Sequence, residues 1–508
     1  MRILFATAEA HPLMKTGGLG DVCGSLPVAL AALGHDVRMA LPAYPRAIEQ
    51  VEELRLLAEV ELPLAPASVR ILSGLLPGTR LPVYLIDSPI HFARDGNPYV
   101  DGEGKDWSDN AQRFCVFARA VVAMALDRAG LRWRPEIVHA HDWHAGLVPA
   151  LLAGEPGRPA TVFTIHNLAY QGLFPWETFQ ALGLPPGLWS VEGVEFWGQM
   201  SFMKAGLVFS DRITAVSPTY AREVLDPAQG CGLDGVLRHR KDHLVGILNG
   251  CDYGVWDPTQ DPLLAAPYSP EDLRPKRANK LALMSRFELT EPDLPLFAFV
   301  SRLVEQKGVD LVLEALSALM HRPLRLLIVG TGERRLATRL QAAAEAYAGQ
   351  LGVHIGYDEP LAHAVFAGAD GFLMPSRFEP CGLTQLYALR YGTVPVVRRT
   401  GGLVDTVVDC LADGSNGGVA TGFHFVEPTA AAMVGAIDRA LVTWGDRAAW
   451  RRLQRTGMEQ DFSWDRSAQA YMDLYAAIFP GAKRVPPARA ARPWAGTGSR
   501  RMRAVAAT

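Results

Sequence analysis

The chain has 508 residues, 49% of them hydrophobic and 20% charged, with a formal net charge of −3; these values exclude a fibrous or wholly disordered protein and suit a globular one. That length exceeds what one hydrophobic core usually organises, so two domains are expected. A near-neutral balance exerts no global pull on nucleic acid or on an anionic membrane, so any anion site must be built locally.

Taken in order, the N-terminal run Ile3–Ala8 is too short for a secretory leader and no stretch is apolar enough to span a bilayer, so a cytoplasmic protein is expected. Ile3–Ala8 reads as a strand, Val22–Leu33 as a helix stopped by Gly34, and Val37–Leu41 as the next strand, which together make a βαβ unit. Further strands are predicted at Val83–Ile86, Glu136–Ala140, Thr161–Ile165, Arg212–Val216 and Leu244–Leu248, with helices at Asn110–Arg128 and Ala145–Leu152. A proline-rich segment around Asp252–Pro295 reads as irregular. A second alternating series then follows: strands Leu296–Val300, Leu324–Val329, Val353–Ile355, Gly371–Met374 and Val394–Val397, with helices Val309–Leu319 and Leu336–Ala348. The fold class is therefore α/β, with two doubly wound parallel sheets whose carboxyl ends face a cleft where ligands bind. The basic tail from Ala482 onward shows no periodicity and is expected to be disordered.

Chemistry-bearing residues gather at predicted strand ends. After the first strand, Lys15-Thr16-Gly17-Gly18-Leu19-Gly20-Asp21 opens into a helix. Its glycines admit backbone amides close to a ligand, and the helix N-terminus with Lys15 suits a diphosphate. Neither a dinucleotide fingerprint nor a P-loop is present, since the lysine precedes the glycines. At the head of the second series, Arg302 and Lys307 follow Leu296–Val300, two cations fit for a phosphate. Gly330-Thr331-Gly332 adds a glycine turn. The stretch Met374–Thr384 places Glu379 ahead of Pro380 and Cys381, and the amides of Gly382, Leu383 and Thr384 that follow are suited to holding a phosphate beside the carboxylate. His139, His141 and His144 invite a metal reading, but a strand flanked by apolar residues without a third ligand at suitable spacing argues for buried structural histidines. The six cysteines, Cys23, Cys115, Cys231, Cys251, Cys381 and Cys410, are scattered and expected to be reduced thiols. Trp143 and Trp197 are equally readable as sugar platforms or as core.

These segments, with His139–His144, Thr164–Asn167, Ile247–Gly250 and Ser301–Gly308, resemble in order the signatures of bacterial glycogen synthases and plant starch synthases, glycosyltransferase family GT5. The resemblance runs from residue 1 to about Phe479. Gly20 stands where many bacterial members have alanine, and Tyr387 stands eight positions after Glu379, where related enzymes outside the family carry a second glutamate. The resemblance implies the GT-B architecture: residues 1–250 as an acceptor-binding Rossmann-like domain, 251–462 as the nucleotide-sugar domain, 463–480 as a helix crossing back to the first domain, and 481–508 as the tail. It implies transfer of glucose from ADP-glucose to the non-reducing end of an α-1,4-glucan, with retention of configuration.

On the same resemblance, Lys15, Arg302 and Lys307 would neutralise the departing diphosphate, replacing a metal, and no Asp-x-Asp motif of metal-dependent enzymes occurs. His166 and Glu379 complete the expected catalytic set. Gly17, Gly18, Asp21, Asn249, Tyr357, Cys381, Gly382, Leu383 and Thr384 join the donor side; Tyr99, Asp142 and His166 form the acceptor side. No cofactor is expected and no residue offers itself as a covalent nucleophile, which favours a front-face mechanism over a double displacement. The expected partners are ADP-glucose and a glucan, without nucleic acid or membrane; the oligomeric state is open. A nicotinamide-dependent oxidoreductase would share the sheet type but lacks its fingerprint, and a non-catalytic glucan binder would not need all five catalytic candidates.

Overall fold

The computed structural model describes residues 1–411 and 419–479, so the basic tail lies outside the described residues. Twelve strands in the first half are β1 Arg2–Ala6, β2 Asp36–Pro42, β3 Glu52–Val60, β4 Val69–Leu75, β5 Pro82–Asp87, β6 Ile137–His141, β7 Ala160–Ile165, β8 Leu173–Pro175, β9 Glu195–Phe196, β10 Gln199–Ser201, β11 Arg212–Ala215 and β12 Leu244–Gly246. Nine of them form one sheet in the order β12-β11-β7-β6-β1-β2-β5-β4-β3, while β8, β10 and β9 make a small separate sheet. The seven strands from β12 through β2 to β5 pair in parallel, whereas β3 and β4 are antiparallel additions at the edge. Strands β1, β6 and β7 are buried on both faces, which is why they read as unbroken apolar runs. The second sheet comprises β13 Leu296–Val300, β14 Arg325–Gly330, β15 Leu351–Ile355, β16 Gly371–Met374, β17 Val394–Arg398 and β18 Phe423–Phe425, in the order β15-β14-β13-β16-β17-β18 and all parallel.

Six helices matter for the site: α1 Gly18–Ala32, α2 Pro218–Glu223, α3 Lys276–Arg286, α4 Thr384–Arg390, α5 Gly402–Thr406 and α6 Trp464–Ile478. The segment expected to be irregular around Asp252–Pro295 is corrected by α3, an 11-residue helix. Its sequence is mostly polar and proline-flanked, so no apolar stripe announces it. Two buried lysines hold it: Lys280 pairs with Asp370, and the ammonium of Lys276 donates to the carbonyls of Phe366 (3.1 Å), Ala367 (2.9 Å) and Tyr391 (2.9 Å) and to Thr393 Oγ1 (2.9 Å). Burial lowers that amine to about 7.

The last helix returns to the first sheet. Trp464, Ala468, Tyr471, Met472 and Tyr475 of α6 belong to the same hydrophobic core as β1, β2 and β6. Tyr475 shares a 2.7 Å hydrogen bond with His139 Nδ1, and His139 Nε2 meets Thr164 Oγ1 at 2.5 Å. At the start of α6, a Cβ on Gly250 would lie 2.7 Å from Trp464 Cα, so only glycine lets the crossing chain pass this close. No helix among the described residues is long and apolar enough to cross a membrane.

Candidate active site

The carboxyl ends of β1, β6 and β7 face those of β13 and β16. The loop leaving β1 is organised by a carboxylate that carries no local signature: buried Glu9 accepts from Thr16 N (2.6 Å), Thr16 Oγ1 (2.7 Å), Gly17 N (3.3 Å) and Tyr99 Oη (2.6 Å). Burial raises the Glu9 carboxyl, and those four donors counteract it. Tyr99, expected on the acceptor side, thus has its hydroxyl committed to the glycine loop while its ring stacks on His144 at 4.5 Å. Lys15 pairs with Asp21 at 2.7 Å. The N-cap of α1 is Gly17, in extended backbone and without a side-chain cap, and nothing lies within 4 Å of where its Cβ would be. The exposed Gly18 at the start of this 15-residue helix therefore leaves its N-terminus open to an anion. Gly20 is tight: a Cβ there would sit 3.1 Å from Lys15 Cα, so alanine obliges the Lys15 backbone to move by a few tenths of an ångström.

At the ends of β6 and β7, Asp142 adopts a positive φ of 54° and directs Oδ1 at the amides of His166 (2.7 Å) and Asn167 (3.3 Å). Burial drives its carboxyl up to about 7 although both amides favour the charged form. His166 Nε2 shares a 2.9 Å hydrogen bond with His141 Nδ1, and burial pushes His166 down to about 3, so the ring is neutral at working pH. His139 and His144 are buried: His139 links β6 to α6, and His144 packs among Tyr99, Phe114 and Trp143 with neither ring nitrogen hydrogen-bonded. Trp143 is buried, whereas Trp197 is 81% exposed.

Across the cleft, Lys307 Nζ donates to both oxygens of buried Glu379, at 2.9 and 2.6 Å, and Ser376 Oγ donates to Oε2 at 2.9 Å. Lys307, expected at a diphosphate, is here the partner of Glu379. Gly308, at φ +73° and with a virtual Cβ 2.2 Å from the Pro375 carbonyl, brings this loop against the Glu379 loop. Arg302 is exposed, its guanidinium 3.5 Å from Tyr170 Oη of the first domain and 3.5 Å from Gln306 Oε1. Asn249 is buried with Oδ1 unpartnered, and its amide groups stand beside the Cys381 thiol, which burial pushes up to about 12. Gly382 turns with φ +73°, Thr384 Oγ1 opens α4 with a 3.6 Å contact to Met374 S, and Leu383 Cδ1 lies 3.7 Å from the Cβ position of Gly18. The two halves of the predicted site therefore touch. Tyr357 stands at the rim, 71% exposed, with its hydroxyl on Glu359 at 2.6 Å. Tyr387 stacks on Trp256 at 4.0 Å, with His363 on the other face of that indole at 3.8 Å.

One constellation has no contiguous sequence signal. Ser217 and α2 of the first domain clasp the second: Ser217 Oγ donates to the Pro380 carbonyl (2.6 Å), and Thr219 N and Oγ1 donate to the Asp405 carboxylate (2.8 Å each). Glu223 Oε1 accepts from Gly401 N (2.9 Å) and Thr400 Oγ1 (3.3 Å). Gly401 is packed so closely that a Cβ would stand 1.9 Å from the Glu379 carbonyl oxygen. The clasp thus grips the backbone that carries Glu379.

Residues 2–239 match the family model described as starch synthase catalytic domain, and residues 284–456 match glycosyl transferases group 1. Glycogen synthase 1 of Methylococcus capsulatus is 52% identical over 95% of this chain and 97% of its own length. Glycogen synthase 2 of Nitrosococcus oceani is 54% identical over 94% and 97%. Among solved structures, the catalytic domain of starch synthase IV from Arabidopsis thaliana, bound to ADP and acarbose, superposes with a TM-score of 0.86 at 32% identity, covering 94% of this chain and 99% of that one. Sucrose-phosphate synthase from Thermosynechococcus elongatus, at 18% identity and a TM-score of 0.59 over 95% of this chain and 100% of that one, shares the GT-B fold alone.

Proposed function

The chain belongs to the family of glycogen and starch synthases and is a glycosyltransferase, and from that premise we propose that it moves glucose from ADP-glucose onto the non-reducing end of an α-1,4-glucan, with retention and without a metal, in the cytoplasm. The observation that carries the reading is the meeting of the Lys15–Asp21 loop with the Glu379–Thr384 loop at the Gly18–Leu383 contact, which sets the charged groups of both domains side by side for one shared ligand. In this reading residues 1–250 receive the glucan and 251–462 the nucleotide sugar.

The diphosphate lies against the uncapped first turn of α1, with Gly17, Gly18, Lys15 and, from the other side, Arg302 and the amides of Gly382, Leu383 and Thr384. Charge on the leaving ADP grows in the transition state, so cations fixed there lower the barrier more than they tighten binding. The unpartnered Oδ1 of Asn249 accepts a sugar hydroxyl, beside the Cys381 thiol, and adenine covers the exposed ring of Tyr357. Glu379 has both oxygens engaged by Lys307 and Ser376, an arrangement that fixes it as a hydrogen-bond acceptor and electrostatic partner of the oxocarbenium-like sugar and argues against a covalent nucleophile. Lys307 reaches the leaving group only through that pair or by exchanging partners on donor binding. His166, neutral by burial, offers its ring or backbone carbonyl to the reacting sugar and cannot act as an imidazolium acid. Asp142 holds the His166 and Asn167 amides and keeps Oδ2 for an acceptor hydroxyl, while Tyr99 braces the glycine loop through Glu9 and Asp21 orients Lys15. The acceptor oxygen then attacks from the face the diphosphate leaves, its proton passing to a departing phosphate oxygen.

The test is ADP release from ADP-glucose with glycogen as acceptor, with product anomeric configuration followed by NMR. Glu379→Ala is expected to lose turnover by a factor of about a thousand while remaining folded; near-parental turnover removes Glu379 from the centre. EDTA leaves the parent rate unchanged, and an EDTA loss restored by a divalent ion overturns the metal-free reading.

A further inference from the structure

Cys23 lies on the second turn of α1, fully buried, and faces the ends of β6 and β7. One donor atom from each of Cys23, His141 and His166 lies within 4.8 Å of the other two, the only such grouping of histidine, cysteine and carboxylate donors among the described residues. We propose that Cys23, His141 and His166 form a binding site for a soft divalent cation, with Zn2+ as its probe, and that occupancy switches the transferase off by capturing the His166 ring. The inhibitory half rests on the placement of His166 at the reacting sugar argued above.

A thiolate with two imidazoles is a donor set that zinc favours and that Mg2+ and Ca2+, which want oxygen, do not. Tetrahedral zinc, with bonds of about 2.0–2.3 Å, holds its donors about 3.3–3.6 Å apart. The facing nitrogens of His141 and His166 are 2.9 Å apart in their shared hydrogen bond, so they need to separate by only a few tenths of an ångström, and the sulfur to approach by about one. His141 makes this easy because its Nε2 is buried without a partner, so the ring turns without breaking a second hydrogen bond. Phe5 stacks on that ring at 5.1 Å and closes the apolar wall behind it. His166, at 8% exposure, is the most accessible of the three, so the ion enters from the cleft and keeps its fourth position, a water, on that side. On binding, the thiol proton leaves to solvent, and the proton shared between the imidazoles shifts to the far nitrogen of its own ring. No oxidant or reductant is involved.

The experiment titrates metal-free full-length enzyme with Zn2+, scoring bound metal by dialysis and elemental analysis and ADP release in parallel. Co2+ serves as a spectroscopic probe for a thiolate-to-cobalt band. Expected are one Zn2+ per chain, half-inhibition coinciding with half-occupancy, reversal by EDTA and no effect of Mg2+. Cys23→Ala without metal turns over at the parental rate, lacks the thiolate band and needs about a hundredfold more Zn2+ for half-inhibition. Cys23→Ser, which keeps the packing volume, behaves alike if the alanine variant melts early. Stoichiometric Zn2+ binding that persists in both variants overturns the site. Zn2+ binding that depends on Cys23 yet leaves turnover intact overturns the inhibitory role and, with it, the placement of the His166 ring, as distinct from its backbone carbonyl, at the sugar.

Discussion

Arg302 and Lys307 lie five residues apart on one loop, and their replacement by alanine is expected to separate them. Lys307 forms a two-pronged pair with Glu379, the two side chains only 18% and 6% exposed. Removing the lysine strands a buried carboxylate with Ser376 as its remaining donor, and breaking such a pair costs about 3 kcal/mol, at the lower end for buried pairs because Lys307 is not fully enclosed. For a domain of this size that corresponds to a melting temperature lower by roughly 6–12 °C. Arg302 is exposed and makes only 3.5 Å contacts, so Arg302→Ala leaves the melting temperature within about a degree. Both variants lose turnover: about a hundred- to a thousandfold for Arg302→Ala, in kcat rather than in KM for ADP-glucose, because its contact strengthens as charge develops on the leaving group. The decisive comparison is Lys307→Ala/Glu379→Gln, which removes the stranded charge and regains most of the lost melting temperature without regaining activity. Scanning calorimetry on the four proteins, with initial rates of ADP release, measures all of this. Equal thermal losses for Arg302→Ala and Lys307→Ala, or a double variant no more stable than Lys307→Ala, would refute the assignment of Lys307 to Glu379.

Further outcomes are expected. Thr219→Val removes one hydroxyl bond to the Asp405 carboxylate and lowers kcat/KM about tenfold, with a change in melting temperature of at most a few degrees; Glu223→Gln, which keeps the acceptor for Gly401 N, is milder than Glu223→Ala. If Thr219→Val keeps full activity, the clasp does not hold the Glu379 backbone for catalysis. The Asp142 carboxyl is raised in the fold to about 7, so the stability it contributes is fully present below about pH 4 and is lost as pH climbs through 7. Asp142→Asn cannot titrate, so its melting temperature relative to the parent rises between pH 5 and pH 8, by an amount corresponding to a few kcal/mol; a pH-independent difference contradicts the shift. Tyr475→Phe leaves His139 Nδ1 buried without a partner and costs about 1–2 kcal/mol in urea denaturation, while turnover per folded molecule stays near parental. A drop in turnover without a drop in stability would mean that α6 does more than brace the sheet.

What the sequence announces and what it conceals follow a physical division. β1, β6, β7, β13 and β16 are legible because burial on both faces leaves short apolar runs, and the loops after them because glycine, proline and charge cluster within a few residues. β3, with an irregular mixture of exposed charge and leucine and a register shift against β4, has no alternation to read. Helix α3 is held by two buried lysines, Lys276 reaching carbonyls 90 to 115 positions away and Lys280 paired with Asp370, reasons that no local window contains. The same holds inside the site. Glu9 takes Tyr99 from 90 positions downstream, and Thr219 takes Asp405 from 186, so the first pair exists only once the first domain has folded and the second only where the two domains meet. Local pattern can place a charged side chain at a strand end, but its partner is chosen by whatever tertiary structure brings opposite. Arg302 and Lys307 are interchangeable as signals, two cations on one loop. They diverge because Glu379, 72 positions after Lys307, is buried against only one of them, and so the lysine holds the carboxylate while the arginine stays at the open edge of the cleft.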